Sequence, residues 1–378
     1  MNRHFIPNVP KYFEPHVSDC FLNALSAELL RRKINPNLVL VDYLSFLYDR
    51  EKGYIGNSYF YQYNDLLLVT EDMLNTQLHF IYQHKPKQYP VDYHENITSL
   101  HDKKINILFY TENDSDDAYL RLKELIDADT PVIIAIDLYY MSYHRAFGKE
   151  HGFHYIVITG YDEMEGCFEL FDKFRHASCD FEGKLPIDEI KLARCVDVPV
   201  SNPLIGEYFR AISNLWTEVI IGSDFQISRD DVFAILKESC LRLKGQIEIL
   251  GNQCGLEMMD LFIKDILLKK AEGLSDKNLF LFKTYFNEAF KKMSRSRKRF
   301  NLFIAENNEL IPQELITDLS VYLYESVKNW EISANLCYKL AINKNLSIID
   351  SIASQLMKIR EVETMFTNKL DAYLANFG

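Results

Sequence analysis

The chain has 378 residues, of which 48% are hydrophobic, and its formal net charge is −12. This length suffices for two ordinary domains, and the composition is typical of a globular protein and argues against disorder. No apolar run approaches the roughly 18 residues of a membrane-spanning helix, and the first residues lack the apolar core of a signal peptide. We therefore expect a cytoplasmic enzyme or binding protein.

The negative charge is concentrated in residues 1–200, which hold 20 basic and 31 acidic side chains, a net −11. An acidic half suits a cationic amine substrate better than nucleic acid, and a role in solubility alone is an equally good interpretation. All ten histidines lie at or before His176. Chemistry that needs an imidazole is therefore expected in the first half of the chain.

The seven cysteines are odd in number and include no CxxC pair. We therefore expect neither a disulfide framework nor a zinc ribbon, and we expect the thiols to be reduced. The sequence also has no P-loop and no GxGxxG motif, so we expect neither ATP nor a dinucleotide, and no resident cofactor.

The predicted elements of the first half mix helices and strands. Helices are predicted over 20–33 and 116–127, the first capped by Ser18 or Asp19. Strands are predicted over 105–110, 131–137, 153–161 and 166–172. The segment 43–63 is ambiguous in secondary structure; its rings could line an apolar acyl groove, although such rings are more often core. These rings are Tyr43, Phe46, Tyr48, Tyr54, Tyr59, Phe60, Tyr61 and Tyr63.

After about residue 200 the pattern becomes helical, and convincing strands disappear. Helical spacing covers 203–222, 229–250, 255–272, 275–292, 296–306, 312–328, 331–343 and 346–374. The sequence therefore predicts a first domain over 1–200 and an all-helical domain over 201–378.

Cys20 stands at the start of the first predicted helix. The positive end of a helix dipole favours a thiolate there, although a buried structural cysteine is the commoner case. A base is available on the predicted hairpin 154–172. If that hairpin is centred on Glu163, His154 lies opposite Asp172, and a carboxylate at that distance can orient an imidazole. A strand-end ion pair without a catalytic task is the alternative.

The order Cys20, His154, Asp172 is typical of papain-like cysteine enzymes. The stretch Asp19-Cys20-Phe-Leu-Asn-Ala-Leu25 resembles the start of bacteriocin-processing, C39-type cysteine peptidases. The block Pro131–Asp137, followed by His151–Asp162 and Phe168–Asp172, resembles the butirosin-type acyltransferases of natural-product pathways more closely. The resemblance covers roughly residues 13–175, and a helical C-terminal half is also expected in that family.

The resemblance implies an α+β papain-like cysteine-enzyme domain followed by an all-helical C-terminal domain. It makes Cys20 the nucleophile, His154 the base and acid, and Asp172 the residue that orients the imidazole. Two positions depart from the pattern. Glu14 replaces a glutamine that helps to form the oxyanion hole, and an ionised carboxylate cannot donate a hydrogen bond. Phe21 replaces the small residue usual after the cysteine.

Substitute oxyanion donors are the Cys20 backbone N–H together with a nearby polar side chain. The candidates are His16, Ser18 and Asn23. His151 and His154 form an H-x-x-H spacing that could suggest zinc, but no third and fourth ligand follows, so no metal is expected. His144, His151 and His176 remain rival bases.

The expected function is amide formation by transfer of an acyl group from a carrier-protein thioester to an amine, perhaps a diamine, through a Cys20 acyl-enzyme. Phosphopantetheine would arrive on the carrier protein. Two rivals are a cysteine peptidase or amidase that uses water, and a non-enzymatic scaffold. Neither nucleic acid nor a membrane is an expected partner, and the oligomeric state, a homo-oligomer included, stays open.

A basic stretch, Lys291–Arg299, holds six basic residues and no acid. A solvated helix turn is the default interpretation. The functional interpretation is a docking surface for the acidic carrier protein and its phosphate.

Overall fold

The computed structural model describes residues 2–12, 20–57, 78–82, 86–90, 104–174, 179–202, 204, 206–249 and 251–376. The chain divides into two compact units by its internal contacts. The first unit comprises residues 1–36, 79–201 and 207–226. The second comprises residues 37–78, 202–206 and 227–378.

A nine-stranded sheet forms the centre of the first unit, as far as the described residues show. Its strands are β1 (Arg3–Phe5), β4 (Phe80–Tyr82), β5 (Lys87–Gln88), β6 (Ile105–Thr111), β7 (Val132–Asp137), β8 (Phe153–Asp162), β9 (Cys167–Asp172), β10 (Phe181–Pro186) and β13 (Trp216–Ile221). The order is β10-β9-β8-β7-β13-β6-β4, with β1 on β8 and β5 on β6. β4 and β5 each pair with β6 in parallel, and the other described pairs of this sheet are antiparallel. A separate pair joins β11 (Asp197–Asn202) to β12 (Gly206–Ala211).

In the part of this unit that the structure describes, three α-helices accompany the sheet: α1 (Cys20–Arg31), α3 (Ser115–Asp127) and α4 (Ile187–Arg194). Helix α1 is buried along most of its length and packs against β8. The Phe21 ring contacts Tyr155 of β8 at 5.0 Å and Phe109 of β6 at 5.6 Å between centroids. Phe21, which departs from the family pattern, is therefore the side chain that anchors the start of α1 to the sheet.

The hairpin β8–β9 forms, but its predicted register is wrong. Ile158 lies opposite Leu170, whereas a hairpin centred on Glu163, as predicted, would place Ile158 opposite Phe168. A bulge at Thr159 then shifts the pairing by one further residue toward the turn. At the end of the hairpin that holds His154 and Asp172, the observed register differs from the predicted one by two residues. A shift by an even number of residues keeps the same side chains on the same face of the sheet. His154 and Asp172 therefore remain diagonal neighbours.

The second unit is mainly helical. Its longer helices are α5 (Arg229–Leu243), α6 (Leu256–Glu272), α8 (Asn287–Glu306), α9 (Gln313–Asn343) and α10 (Ser347–Leu374). Its shorter helical elements are α7 (Asp276–Phe280), a π-helical turn (Leu281–Phe286) and α2 (Pro36–Val39), which is assigned only partly to this unit. Strand β2 (Leu47–Asp49) pairs with β3 (Tyr54–Gly56), and β14 (Glu248–Ile249) pairs with β15 (Asn252–Gln253). No helix in the described ranges is long and apolar enough to cross a membrane.

The division into units differs from the predicted boundary at residue 200. Residues 207–226 belong to the first unit, where β13 lies between β6 and β7. The helix predicted over 203–222 is wrong because Ile205, Phe209, Ile212 and Trp216 mimic helical spacing, while Thr217–Ile221 has the β-branched composition of a strand. Residues 37–57 belong to the second unit, so that unit is not all-helical.

The aromatic side chains described in segment 43–63 pack within the second unit. Phe46 is fully buried, stacked on Trp330 at 6.1 Å and tilted against Phe262 at 5.8 Å. The Tyr48 hydroxyl donates to Asp265, and Tyr54 is buried. The other rings of the predicted groove, residues 59–63, lie outside the described residues. The four described rings are therefore packing residues.

The three arginines of the basic stretch are not surface residues, whereas its three lysines are partly exposed. Arg295, Arg297 and Arg299 are all buried within α8, so a docking role for these three is wrong. Each arginine has a carboxylate partner, on Glu288, Glu363 and Asp42 respectively. The Arg297 guanidinium is bonded to both oxygens of Glu363 at 2.8 Å and also donates to the Ser45 carbonyl and Asn57.

Replacing Arg297 with methionine is expected to destabilise the second unit by about 3–5 kcal/mol, because a buried Glu363 would lose its counter-charge. Burial works to raise the pKa of Glu363, and the Arg297 charge with its hydrogen bonds overcomes this and lowers that pKa. Urea unfolding followed by circular dichroism measures the effect. The matched control is Lys298→Met, whose pair with Glu331 is partly exposed and should contribute at most about 1 kcal/mol. Equal losses in the two variants would contradict this account.

Candidate active site

Cys20 is the first residue of α1, as predicted, and its side chain is partly exposed. The helix is held beside the sheet by Phe21 and by Asn23, whose side-chain amide donates to the Lys173 carbonyl at 2.6 Å. Lys173 directly follows Asp172, so this bond links the Cys20 helix to the end of β9. All seven cysteines are free.

His154 and Asp172 form the predicted pair. Nε2 of His154 lies 2.9 Å from Oδ2 of Asp172, and both side chains are almost fully buried, with 3% and 1% exposed. Strand β8 holds the histidine between β7, where it faces Ile136, and the end of β9. The pair thus lies where β8 begins and the neighbouring strand β9 ends.

The charges at the site favour an imidazolium. Burial works to lower the pKa of His154, but the charges of Asp172 and then Cys20 outweigh it and raise that pKa well above its ordinary value. Burial works to raise the pKa of Asp172, and the His154 charge with hydrogen bonds from its neighbours lowers it. These pKa shifts favour a charged His154 beside a charged Asp172, and the charge of Cys20 acts on His154 in the same direction as that of Asp172.

Two neighbours of the pair have no counterpart in the sequence prediction. The Tyr143 hydroxyl donates to Oδ2 of Asp172 at 2.7 Å. The Cys179 thiol is buried and hydrogen-bonded at the pair, and burial raises its pKa, so it stays a thiol. Tyr143 is 29 residues before Asp172 and lies in the loop between β7 and β8, so no local pattern connects them. Cys179 follows Asp172 closely, but its residue type alone gave no role.

A second histidine–carboxylate pair lies at the start of β8. Nδ1 of His151 lies 2.6 Å from Oδ2 of Asp137, and the His151 ring is stacked on Tyr139 at 4.3 Å. Oδ1 of Asp137 accepts backbone N–H groups of Tyr139 and Gly152, which fixes the loop. The two pairs differ in exposure: the His151 side chain is 36% exposed, whereas the His154 side chain is 3% exposed and its pKa is raised in part by the charge of Cys20. His151 stays the rival to His154 as the base.

The other predicted site residues are only partly placed. His16 and Ser18, two of the oxyanion candidates, lie outside the described residues, as do Glu14 and His176. Asn23 is buried and bonded to Lys173, and an oxyanion role for it stays a prediction. His144 is buried, and its Nδ1 accepts the Ala146 N–H at 3.1 Å.

One group in the described part of the chain has the compactness of a metal site. Its members are His154, Asp172 and Cys179, with one ligand atom from each lying within 4.8 Å of the others. Imidazole, carboxylate and thiolate are all zinc ligands. The predicted H-x-x-H pair does not form such a group, because His151 is bonded to Asp137 instead.

The first unit thus holds a partly exposed thiol at the start of α1 and a buried imidazole–carboxylate pair where β8 begins and β9 ends. The sequence profile of a family described as butirosin biosynthesis protein H, N-terminal, matches residues 51–173, about a third of the chain. The match includes His154 and Asp172 and begins after Cys20. It supports the resemblance to the butirosin-type family. No curated protein sequence matches the chain.

Proposed function

We propose that this protein is a cysteine-dependent acyltransferase with a papain-like catalytic unit, which moves an acyl group from a carrier-protein thioester to an amine. The observation that carries the proposal is the His154 imidazole, bonded through Nε2 to buried Asp172 and coupled in charge to Cys20. The family match supports a role for this chemistry in butirosin-type antibiotic biosynthesis. An amide synthetase of the closthioamide type is one specific form of the same proposal.

The first step transfers the acyl group to the protein. The Cys20 thiolate attacks the thioester carbonyl carbon, a carbon–sulfur bond forms, and the carbonyl oxygen becomes an oxyanion. When this intermediate collapses, the bond to the pantetheine sulfur breaks. Because Nε2 of His154 is engaged by Asp172, Nδ1 is the nitrogen that gives its proton to the departing thiolate.

The second step releases the amide. The neutral amine attacks the acyl group on Cys20, and His154, now neutral, accepts a proton from the amine nitrogen. The bond to Cys20 breaks and the thiolate–imidazolium pair is restored. Exchange between two thioesters is nearly balanced in energy, whereas amide formation is favourable and drives the reaction.

Two features of the sequence support the proposed donor and acceptor classes. A chain without an ATP motif needs an acyl group that is already activated, and a thioester on the phosphopantetheine of a carrier protein is such a group. The excess of acidic residues in the first 200 positions favours a cationic amine. We propose that side chains alone perform the chemistry, in the cytoplasm, where thiols stay reduced.

Partitioning of the acyl-enzyme tests this proposal against hydrolysis. With saturating amine, we expect amide to exceed free acid by at least about tenfold, because transfer requires aminolysis to outrun attack by water. Product ratios are measured by chromatography and mass spectrometry over a series of amine concentrations, with a His154→Gln variant as control. Mainly free acid at saturating amine would favour the peptidase or amidase, and no turnover with a folded protein would favour the scaffold.

A further inference from the structure

We propose that Tyr143 is a positioning residue, whose hydroxyl holds the Asp172 carboxylate in the orientation that serves His154. The inference rests on the proposed function and deepens it. Tyr143 acts through Asp172 and touches neither the acyl donor nor the amine in this account.

The geometry of one oxygen atom carries the inference. Oδ2 of Asp172 accepts the Tyr143 hydroxyl at 2.7 Å and faces Nε2 of His154 at 2.9 Å. A carboxylate held by one donor can rotate about its χ2 bond, whereas two donors from different directions on the same oxygen restrict that rotation. The hydroxyl therefore fixes the atom that orients the imidazole.

Two sets of contacts hold Tyr143 beside Oδ2 of Asp172. Its ring is stacked on Phe181 with centroids 4.3 Å apart and an interplanar angle of 17°, and Phe181 is the direct cross-strand partner of Asp172. The preceding residue, Ser142, donates both its backbone N–H and its hydroxyl to Oε1 of Glu189 on α4, each at 2.9 Å. These contacts hold the loop at Tyr143 itself and at the residue before it.

The hydroxyl stays a donor because burial, followed by the Asp172 charge, raises the pKa of Tyr143 far above its ordinary value. A donor on Oδ2 also offsets part of the carboxylate charge that His154 experiences. Other groups also influence the pKa values of these three residues. Cys20 and Cys179 act on His154, Cys179 acts on Asp172, and Cys179 and Glu189 act on Tyr143. Removing the hydroxyl should therefore leave more negative charge facing the imidazole.

Tyr143→Phe tests the inference, since the ring can keep its stacking on Phe181. We expect kcat for acyl transfer to fall about tenfold with KM for the carrier unchanged, the size expected from one hydrogen bond to a charged group. The alkaline limb of the pH–rate profile should move to higher pH, because the stronger carboxylate charge raises the pKa of the His154 imidazolium. The matched control is Tyr140→Phe, three residues earlier, which should change neither quantity.

A second measurement is independent of turnover. In the Cys20→Ala background, the His154 ring is titrated by NMR with and without Tyr143→Phe, and a further His154→Gln variant assigns its signal. An upward shift of the His154 titration with Tyr143→Phe supports the inference even if no acyl transfer is found. An unchanged titration, or an alkaline limb that does not move while the rate falls, would reduce Tyr143 to a packing residue and overturn it.

Discussion

Replacing Cys20 with alanine is expected to abolish acyl transfer, with a loss of at least about 10³-fold in turnover. The thiolate forms the only covalent link to the acyl group in the proposed route, and the remaining imidazole and carboxylate cannot replace it. Helix α1 should persist, because alanine favours helix and Phe21 still anchors the helix to Tyr155. The readout is carrier-dependent amide formation, followed by mass spectrometry.

The matched control is Cys195→Ala, which removes the exposed thiol at the end of α4. This variant should retain wild-type turnover. Full activity in a folded Cys20→Ala protein would remove Cys20 from the mechanism, whatever the other cysteines do.

Asp172→Asn is expected to lower turnover by about 10²–10⁴-fold while the fold remains, as when an orienting carboxylate is lost from a serine-protease triad. The amide can still contact Nε2 of His154, but it no longer stabilises the imidazolium. The carboxylate charge is the largest influence that raises the pKa of His154, and burial acts in the opposite direction. The alkaline limb of the pH–rate profile should therefore move to lower pH in this variant.

Asp137→Asn is the matched control, because Asp137 is also a buried strand-end carboxylate bonded to a histidine. Its alkaline limb should stay at the wild-type position. If Asp137→Asn moved the limb and Asp172→Asn did not, His151 would be the base and the assignment of His154 would be wrong.

The contribution of the His154–Asp172 pair to the protein's free energy of unfolding should depend on pH through the same charges. Because the folded pKa of His154 is raised, the stabilisation from its charge is present at pH values below its ordinary pKa and is lost as pH rises through the raised value. Because the folded pKa of Asp172 is lowered, its stabilisation is lost as pH falls through that lowered value. The pair is thus most stabilising between these two limits.

The sequence was sufficient to predict two features of the candidate site, the helix start at Cys20 and the contact between His154 and Asp172. Cys20 at a helix start and the pairing of His154 with Asp172 depend on helical and strand periodicity, which local composition records. The register of β8 and β9 was wrong because Asp162 pairs with Cys167, so the turn is not centred on Glu163; the bulge at Thr159 then changes the offset by one residue. His154 and Asp172 are still neighbours because the register error at their end of the hairpin is two residues. An even shift keeps both side chains on the predicted face of the sheet.

Other features depend on contacts that local patterns do not record. Arg297 lies in a basic run that suggests a surface, yet its partner Glu363 is 66 residues away and both are buried. Tyr143 reaches Asp172 through a loop, and β13 enters the sheet between strands that precede it by about a hundred residues. Such long-range pairs are determined by tertiary packing rather than by local propensity.

The central claim is that Cys20 carries the acyl group, and intact-mass analysis of the trapped protein tests it most directly. The protein is mixed with an acyl-carrier thioester in the absence of amine, its mass is measured, and the adduct is mapped by proteolysis. We expect one acyl group on Cys20, its release as amide when amine is added, and no adduct with Cys20→Ala. An acyl group on Cys179 or another residue, or amide formation without any adduct in rapid-quench samples, would contradict the account.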